Sequence, residues 1–124
     1  MAAQAIALAE AVNYLESCLE KHDNSLNEYS LEKMKSINGI SIYGNAPERT
    51  PIISFNIEGI HSLDLAHFLD YEGITIRSGH HCCQPLMQAL DITACARVSF
   101  YFYNNVEEVD FLVDKINKAV QVIK

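Results

Sequence analysis

Arg77-Ser78-Gly79-His80-His81-Cys82-Cys83-Gln84-Pro85-Leu86-Met87 follows directly on the apolar run Gly73-Ile74-Thr75-Ile76. The apolar run predicts a strand. Gly79 offers a residue free to take positive φ, so the strand can stop there and the chain can turn sharply. Pro85 suits the first position of a short helix, where its missing N–H costs nothing. Cys82 and Cys83 therefore fall on an exposed turn between a strand and a helix, just before the helix N-terminus. The partial positive charge of that helix end, together with a protonated histidine beside it, favours thiolate over thiol. The expectation is a strand–turn–helix unit that presents a reactive cysteine.

Two plainer readings compete with it. A cysteine in a folded domain is usually a small buried hydrophobe, but a Gly-His-His-Cys-Cys turn holds too few apolar atoms to be core. A metal site on His80, His81, Cys82 and Cys83 is the other. Adjacent ligands in an extended run point alternately to opposite sides, whereas zinc sites space their ligands two to four residues apart. No second ligand pair stands out elsewhere in the sequence.

Outward from this stretch the chain alternates helix and strand patterns. Residues 2–20 are alanine-rich, with Leu8, Val12, Leu15 and Leu19 forming one apolar helix stripe that calls for a partner surface. Asn24 or Ser25 can cap a second helix carrying Leu26, Tyr29, Met34 and Ile37, stopped by Gly39. His22, among charged residues, reads as a solvated surface side chain. Ile40-Ser41-Ile42-Tyr43 predicts a short strand, followed by a turn from Gly44 to Pro51. Ile53, Phe55 and Ile57 alternate with Ser54 and Asn56, the mark of a strand with one wet face. Ser62 opens a helix with Leu65, Phe68 and Leu69 inward and Gly73 at its close. The flanking His61 and His67 read as capping or partly buried polar contacts.

Beyond the cysteine turn, residues 85–90 predict a short helix and Arg97 to Tyr103 a last strand. Val98, Phe100 and Phe102 share one face of that strand; Arg97, Ser99, Tyr101 and Tyr103 share the other. Asn105 with Glu108 three residues on predicts a capping box, with Glu107 also favourable in the first turn. The final helix turns Val109, Leu112, Val113, Ile116, Val120 and Ile123 inward. The expected fold class is α+β, a two-layer sandwich with one face of a small sheet covered by helices. It forms a single domain over 1–124, with a helical segment at 1–38 and a sheet-and-helix core at 39–124.

Composition narrows the classes further. At 124 residues with 49% hydrophobic side chains, one core can form without metal or disulfide staples. A net charge of -7 argues against nucleic acid and against anionic membrane surfaces as partners. Cys18, Cys82, Cys83 and Cys95 show no secreted disulfide framework, which points to reduced thiols in the cytoplasm. The N-terminus lacks a basic region, Glu10 interrupts its apolar stretch, and no apolar run is long enough to span a bilayer. So abrupt a start into a helical pattern suits an excised piece of a longer chain.

The run from Arg77 to Met87 closely resembles the Arg-x-Gly-His-His-Cys-Ala-Gln-Pro-Leu-Met loop of the Suf-type (group II) cysteine desulfurases and selenocysteine lyases, members of the class V aminotransferases. Ala96-Arg97-Val98-Ser99-Phe100-Tyr101-Phe102-Tyr103-Asn104 is similar to a run near that family's C-terminus. Ile53-Ser54-Phe55-Asn56-Ile57-Glu58-Gly59-Ile60-His61 is similar to another of its segments. The resemblance covers almost the whole chain. It departs at Cys83, where the family usually has alanine, and between about Ser17 and Glu28, which is a few residues short.

The resemblance implies the C-terminal small domain of a fold-type I enzyme, with a mostly antiparallel sheet. It implies pyridoxal 5'-phosphate in the full-length enzyme, bound by a lysine after a Ser-His pair. None of Lys21, Lys33, Lys35, Lys115, Lys118 or Lys124 has that context, so no cofactor and no activity are expected of this chain alone. Cys82 takes the family's nucleophile position, accepting sulfur from L-cysteine as a persulfide and leaving L-alanine, with iron–sulfur cluster assembly as the destination. Arg97 takes the position that pairs with the substrate carboxylate; without the resemblance it reads as a surface salt bridge. The implied partners are L-cysteine or selenocysteine, a sulfur-acceptor protein, the chain's own large domain and a second copy in a homodimer. Cys83 is expected either half-buried and inert beside the helix or close enough to accept the sulfur. A free-standing persulfide carrier or metal-binding module, and a purely structural domain, stand as the alternatives.

Overall fold

The computed structural model of the protein describes residues 2–19, 25–44, 46 and 49–123. The expectations for His22, for Asn24 as a cap, for Lys21 and Lys124, and for the side chain of Leu19 lie outside the described residues, as does part of the turn after Gly44.

In chain order the elements are α1 (Ala2–Leu19), α2 (Ser25–Lys35), β1 (Ile40–Tyr43), β2 (Ile52–Ile57), α3 (Ser62–Tyr71), β3 (Arg77–Gly79), α4 (Gln84–Ala89), β4 (Cys95–Ser99) and α5 (Val106–Ile123). The strands form one sheet in the order β1-β2-β4-β3, antiparallel at every pairing. The expected α+β class holds.

Alternation in β2 and β4 decides which way the sheet faces. Ile53, Phe55 and Ile57 are buried with Ala96 and Val98 opposite, and the register pairs Ile53 with Val98 and Phe55 with Ala96. Onto this face pack Leu26 and Met34 of α2, Leu65 and Leu69 of α3, and Val109, Leu112 and Ile116 of α5. Each such side chain contributes about 1.5–3 kcal/mol on burial. The opposite face carries Ser54, Asn56, Cys95 and Arg97, and there the short α4 sits.

Local chemistry fixes the helix ends. Asn105 Oδ1 accepts the Glu108 N–H at 2.9 Å while Glu108 Oε2 accepts the Asn105 N–H at 3.1 Å, completing the expected capping box. His61 Nδ1 accepts the Leu63 N–H at the start of α3. At the other end of α3, Gly73 takes φ 85; its N–H reaches the Asp70 carbonyl, and that of Ile74 reaches the Leu69 carbonyl. This paired motif closes the helix. Ion pairs tie helix to helix, Glu72 to Lys115 and Lys118 and Asp110 to Lys33, and the Tyr29 hydroxyl also donates to Asp110.

Three expectations are corrected. The strand expected at 73–76 begins instead at Arg77, because the Ile74 N–H is already used to end α3. The last strand runs over Cys95–Ser99, not Arg97 to Tyr103. Its partner β2 begins at Ile52, opposite Ser99, and the preceding residue is Pro51, which accepts the Phe100 N–H but has no N–H to return. Tyr101 to Asn104 then form a turn, with Tyr101 N–H donated to Asn104 Oδ1. Finally, α4 starts at Gln84, so Pro85 is its second residue.

None of the described side chains of α1 is buried; Leu8 is 66% and Val12 46% exposed. Of the stripe read from the sequence, Leu8 and Val12 face outward and Leu15 is half-buried.

Candidate functional site

The cysteine stretch forms a tight β-turn. The Cys83 N–H bonds to the His80 carbonyl at 2.9 Å, and the two central residues, His81 and Cys82, have φ of 52° and 56°. Positive φ at both central positions belongs to type I′ turns, which glycine and asparagine favour. For other L-residues the left-handed region costs about 1–2 kcal/mol each. Gly79, at φ 118, gives the chain its entry into the turn.

Three further contacts hold these residues. His80 Nδ1 accepts the Cys82 N–H at 3.1 Å. His81 Nε2 lies 3.0 Å from the carbonyl oxygen of Cys95 in β4. The Cys83 carbonyl accepts the N–H of Leu86 and of Met87 as α4 begins. His80 Nδ1 thus serves the turn as a hydrogen-bond acceptor.

The run carrying Cys82 and Cys83 is not extended as expected, since His81 and Cys82 take left-handed φ. Both are exposed. Cys82 stands at the bend of the turn. Cys83 is the N-cap residue of α4, its thiol making no capping bond. Of the two settings expected for Cys83, the half-buried one is corrected: at the head of α4 its side chain is exposed.

Beside the turn lies a hollow of about 450 Å³. The sheet forms its floor through Tyr43, Ser54, Cys95 and Arg97; Leu86, Met87 and Leu90 form an apolar wall; His81 and Cys83 edge it. The structure therefore brings Arg97 together with Cys83, and leaves Cys82 next to the hollow rather than among the residues that line it. Arg97 stands in register with Ser54 on one side and Arg77 on the other. Its Nε is buried without a hydrogen-bond partner, and among the described residues Arg97 makes no ion pair. A guanidinium left in this state can take a carboxylate in a two-pronged grip.

Tyr43, Ser54 and Cys95 complete the hollow without having been singled out as site residues in the sequence. The signal for two of them was present: alternation along β2 and β4 places Ser54 and Cys95 on the face of Arg97. Burial pushes the Cys95 thiol up, offset in part by the Arg97 guanidinium. Asn56 donates to Tyr43 Oη at 3.1 Å and to the Ala94 carbonyl at 2.9 Å, on the same face as the floor.

The site's own residues do not fit a resident pyridoxal phosphate. No lysine among the described residues lines the hollow, and Lys33, Lys115 and Lys118 are engaged by Asp110 and Glu72. Among the described residues no three His, Cys, Asp or Glu side chains gather as a metal site requires. No helix among them is long and apolar enough to cross a membrane.

Comparison with known proteins gives this geometry a family. A probable cysteine desulfurase of Halalkalibacterium halodurans is 43% identical over 121 residues, covering 94% of this chain and 30% of that protein. One of Staphylococcus epidermidis is 44% identical over 122 residues, with the same coverage of 94% and 30%. The apo structure of a cysteine desulfurase from Thermococcus onnurineus superposes with a TM-score of 0.85 at 32% identity, over 94% of this chain and 30% of that one. A cysteine desulfurase from Escherichia coli, in an S-sulfonic acid form, gives a TM-score of 0.74 at 28% identity, over 82% of this chain and 25% of that one. The chain thus spans about 30% of the length of the curated relatives it matches. Residues 1–112 match the family model for class-V aminotransferases, and the chain belongs to that family.

Proposed function

We propose that the chain is the cysteine-bearing C-terminal domain of a Suf-type, pyridoxal-phosphate-dependent cysteine desulfurase, and that it takes sulfur from L-cysteine as a persulfide on Cys82, leaving L-alanine. The observation that carries this reading is a free, exposed cysteine turn beside a hollow lined by Arg97, whose Nε has no partner among the described residues. The similarity to proteins named cysteine desulfurases supports the same reading.

In this reading each residue has a physical task. Arg97 receives the substrate carboxylate through its guanidinium fork, with Ser54 beside it in register. Leu86, Met87 and Leu90 keep the substrate's carbon chain out of water. Cys82, at the bend of a turn that needs no rearrangement to expose it, supplies the thiol that accepts sulfur and then offers it outward to an acceptor protein. The remainder of the protein must supply the cofactor and its lysine, since the hollow contains none. The four unpaired cysteines suit a reducing cytoplasm, and iron–sulfur cluster assembly is the destination that the family resemblance implies.

A metal-binding module is the poorer reading, because the described residues offer no ligand cluster. The intact gene product, purified and incubated with L-cysteine and a thiol reductant, tests the proposal. Alanine and sulfide should appear in equal amounts, and Cys82→Ala should abolish both. An intact protein that releases neither contradicts it.

A further inference from the structure

Two consecutive left-handed residues are held here by two histidines with opposite hydrogen-bonding roles. His80 accepts, through Nδ1, the N–H of Cys82. His81 faces a carbonyl oxygen, which can only accept, so its Nε2 must carry the proton and donate. The first bond is local to the turn. The second spans 14 residues and lands on Cys95, two positions before Arg97 in β4. Among the described residues it is the one side-chain hydrogen bond between the turn and that strand.

We propose that His81 is a positioning residue for sulfur transfer: its Nε2–H bond to the Cys95 carbonyl fastens the left-handed His81–Cys82 turn to the strand bearing Arg97, holding thiol and guanidinium in one frame. The inference rests on the reading of Cys82 as sulfur acceptor and Arg97 as carboxylate partner. In this role His81 neither gives nor takes a proton. Cysteine has no preference of its own for positive φ, so Cys82 keeps that conformation only while its surroundings impose it. Once the anchor is lost, the turn is free to relax to commoner φ values, which displaces the thiol while Arg97 stays in the sheet. Transfer then slows and binding persists.

The test uses the full-length enzyme. His81→Phe keeps a ring of similar size without a donor, whereas His81→Gln places an amide N–H near the position of Nε2. His81→Phe should lower kcat about a hundredfold, the scale of a displacement of roughly 1 Å at a reacting group, with KM for L-cysteine nearly unchanged. His81→Gln should recover most of kcat. A His81→Phe enzyme with wild-type kcat, or a His81→Gln enzyme as slow as the Phe variant, overturns the proposal. Nitrogen NMR of the unaltered protein keeps the test open if a variant fails to fold. The His81 ring should be protonated at Nε2, and a ring protonated at Nδ1 alone overturns the anchor. Failure of the underlying reading looks different: Cys82→Ala would retain turnover while His81 still showed its Nε2 proton.

Discussion

Arg77 and Arg97 stand directly opposite one another in the register of β3 and β4, on the same face of the sheet. Like charges so placed repel, and among the described residues neither arginine has an acidic partner. The pair makes sense around an incoming carboxylate, with Arg97, half-buried and missing a partner at Nε, as the closer grip. Arg97→Lys keeps the charge and loses the fork. It should cost about 1.5–3 kcal/mol in kcat/KM for L-cysteine in the full-length enzyme, the range for a charged hydrogen bond. A wild-type kcat/KM would reduce Arg97 to a sheet residue.

The 124-residue chain alone should release no alanine from L-cysteine, because no lysine among the described residues lines the hollow. The check is an alanine assay with added pyridoxal phosphate, followed by desalting. A retained stoichiometric visible absorbance band, or steady alanine release, would show that the chain holds the cofactor by itself.

Stability should respond to pH through the ion pairs joining α5 to α3 and α2. Lys118 first, then Lys115, holds the Glu72 carboxylate below the usual glutamate range; the Tyr29 hydroxyl and Lys33 do the same for Asp110. A depressed carboxylate contributes stability that is complete above its unfolded value and is lost as pH falls through the native one. Lys118, raised chiefly by Glu72, and Lys33, raised by Tyr29 and Asp110, have the opposite sign. Their share is complete below the unfolded lysine value and is lost as pH rises through the native one. The melting temperature should therefore be level near neutrality and fall at both extremes. Glu72→Gln should shallow the acid limb; an acid limb identical to that of the unaltered protein would contradict this.

At the start of α5, Asn105→Ala removes one half of a reciprocal cap. It should cost about 0.5–2 kcal/mol of unfolding free energy, read from the urea midpoint at unchanged slope. An unmoved midpoint would show that the cap contributes nothing.

That cap was fully legible in the sequence, as Asn105 and Glu108 carry their own geometry at fixed spacing. So was β2, where Ile53, Phe55 and Ile57 alternate against Ser54 and Asn56 on a strand with one covered face. What was not legible depended on a distant partner. The aromatic alternation from Phe100 to Tyr103 continues the period of β4, yet the strand stops where β2 gives way to Pro51. Ile74 and Ile76 read as strand because nothing local reveals that the Ile74 N–H closes α3. Arg97 and the cysteine turn were found from their residues and the family they resemble. The hollow that joins Arg97 to Cys83, Cys95 and Tyr43 needed the sheet order to be seen. The left-handed pair at His81 and Cys82 broke the simple alternation rule, since neither residue announces positive φ as glycine would.

Which thiol takes the sulfur is the central point, because Cys83 edges the hollow and Cys82 stands at the bend beside it. Cys83→Ala, which restores the residue usual in the family resembled, should leave most of the turnover. Peptide mass mapping of the full-length enzyme after a single turnover with L-cysteine reads the modified residue directly. The added sulfur is expected on Cys82; sulfur found chiefly on Cys83, or on neither, would contradict the assignment.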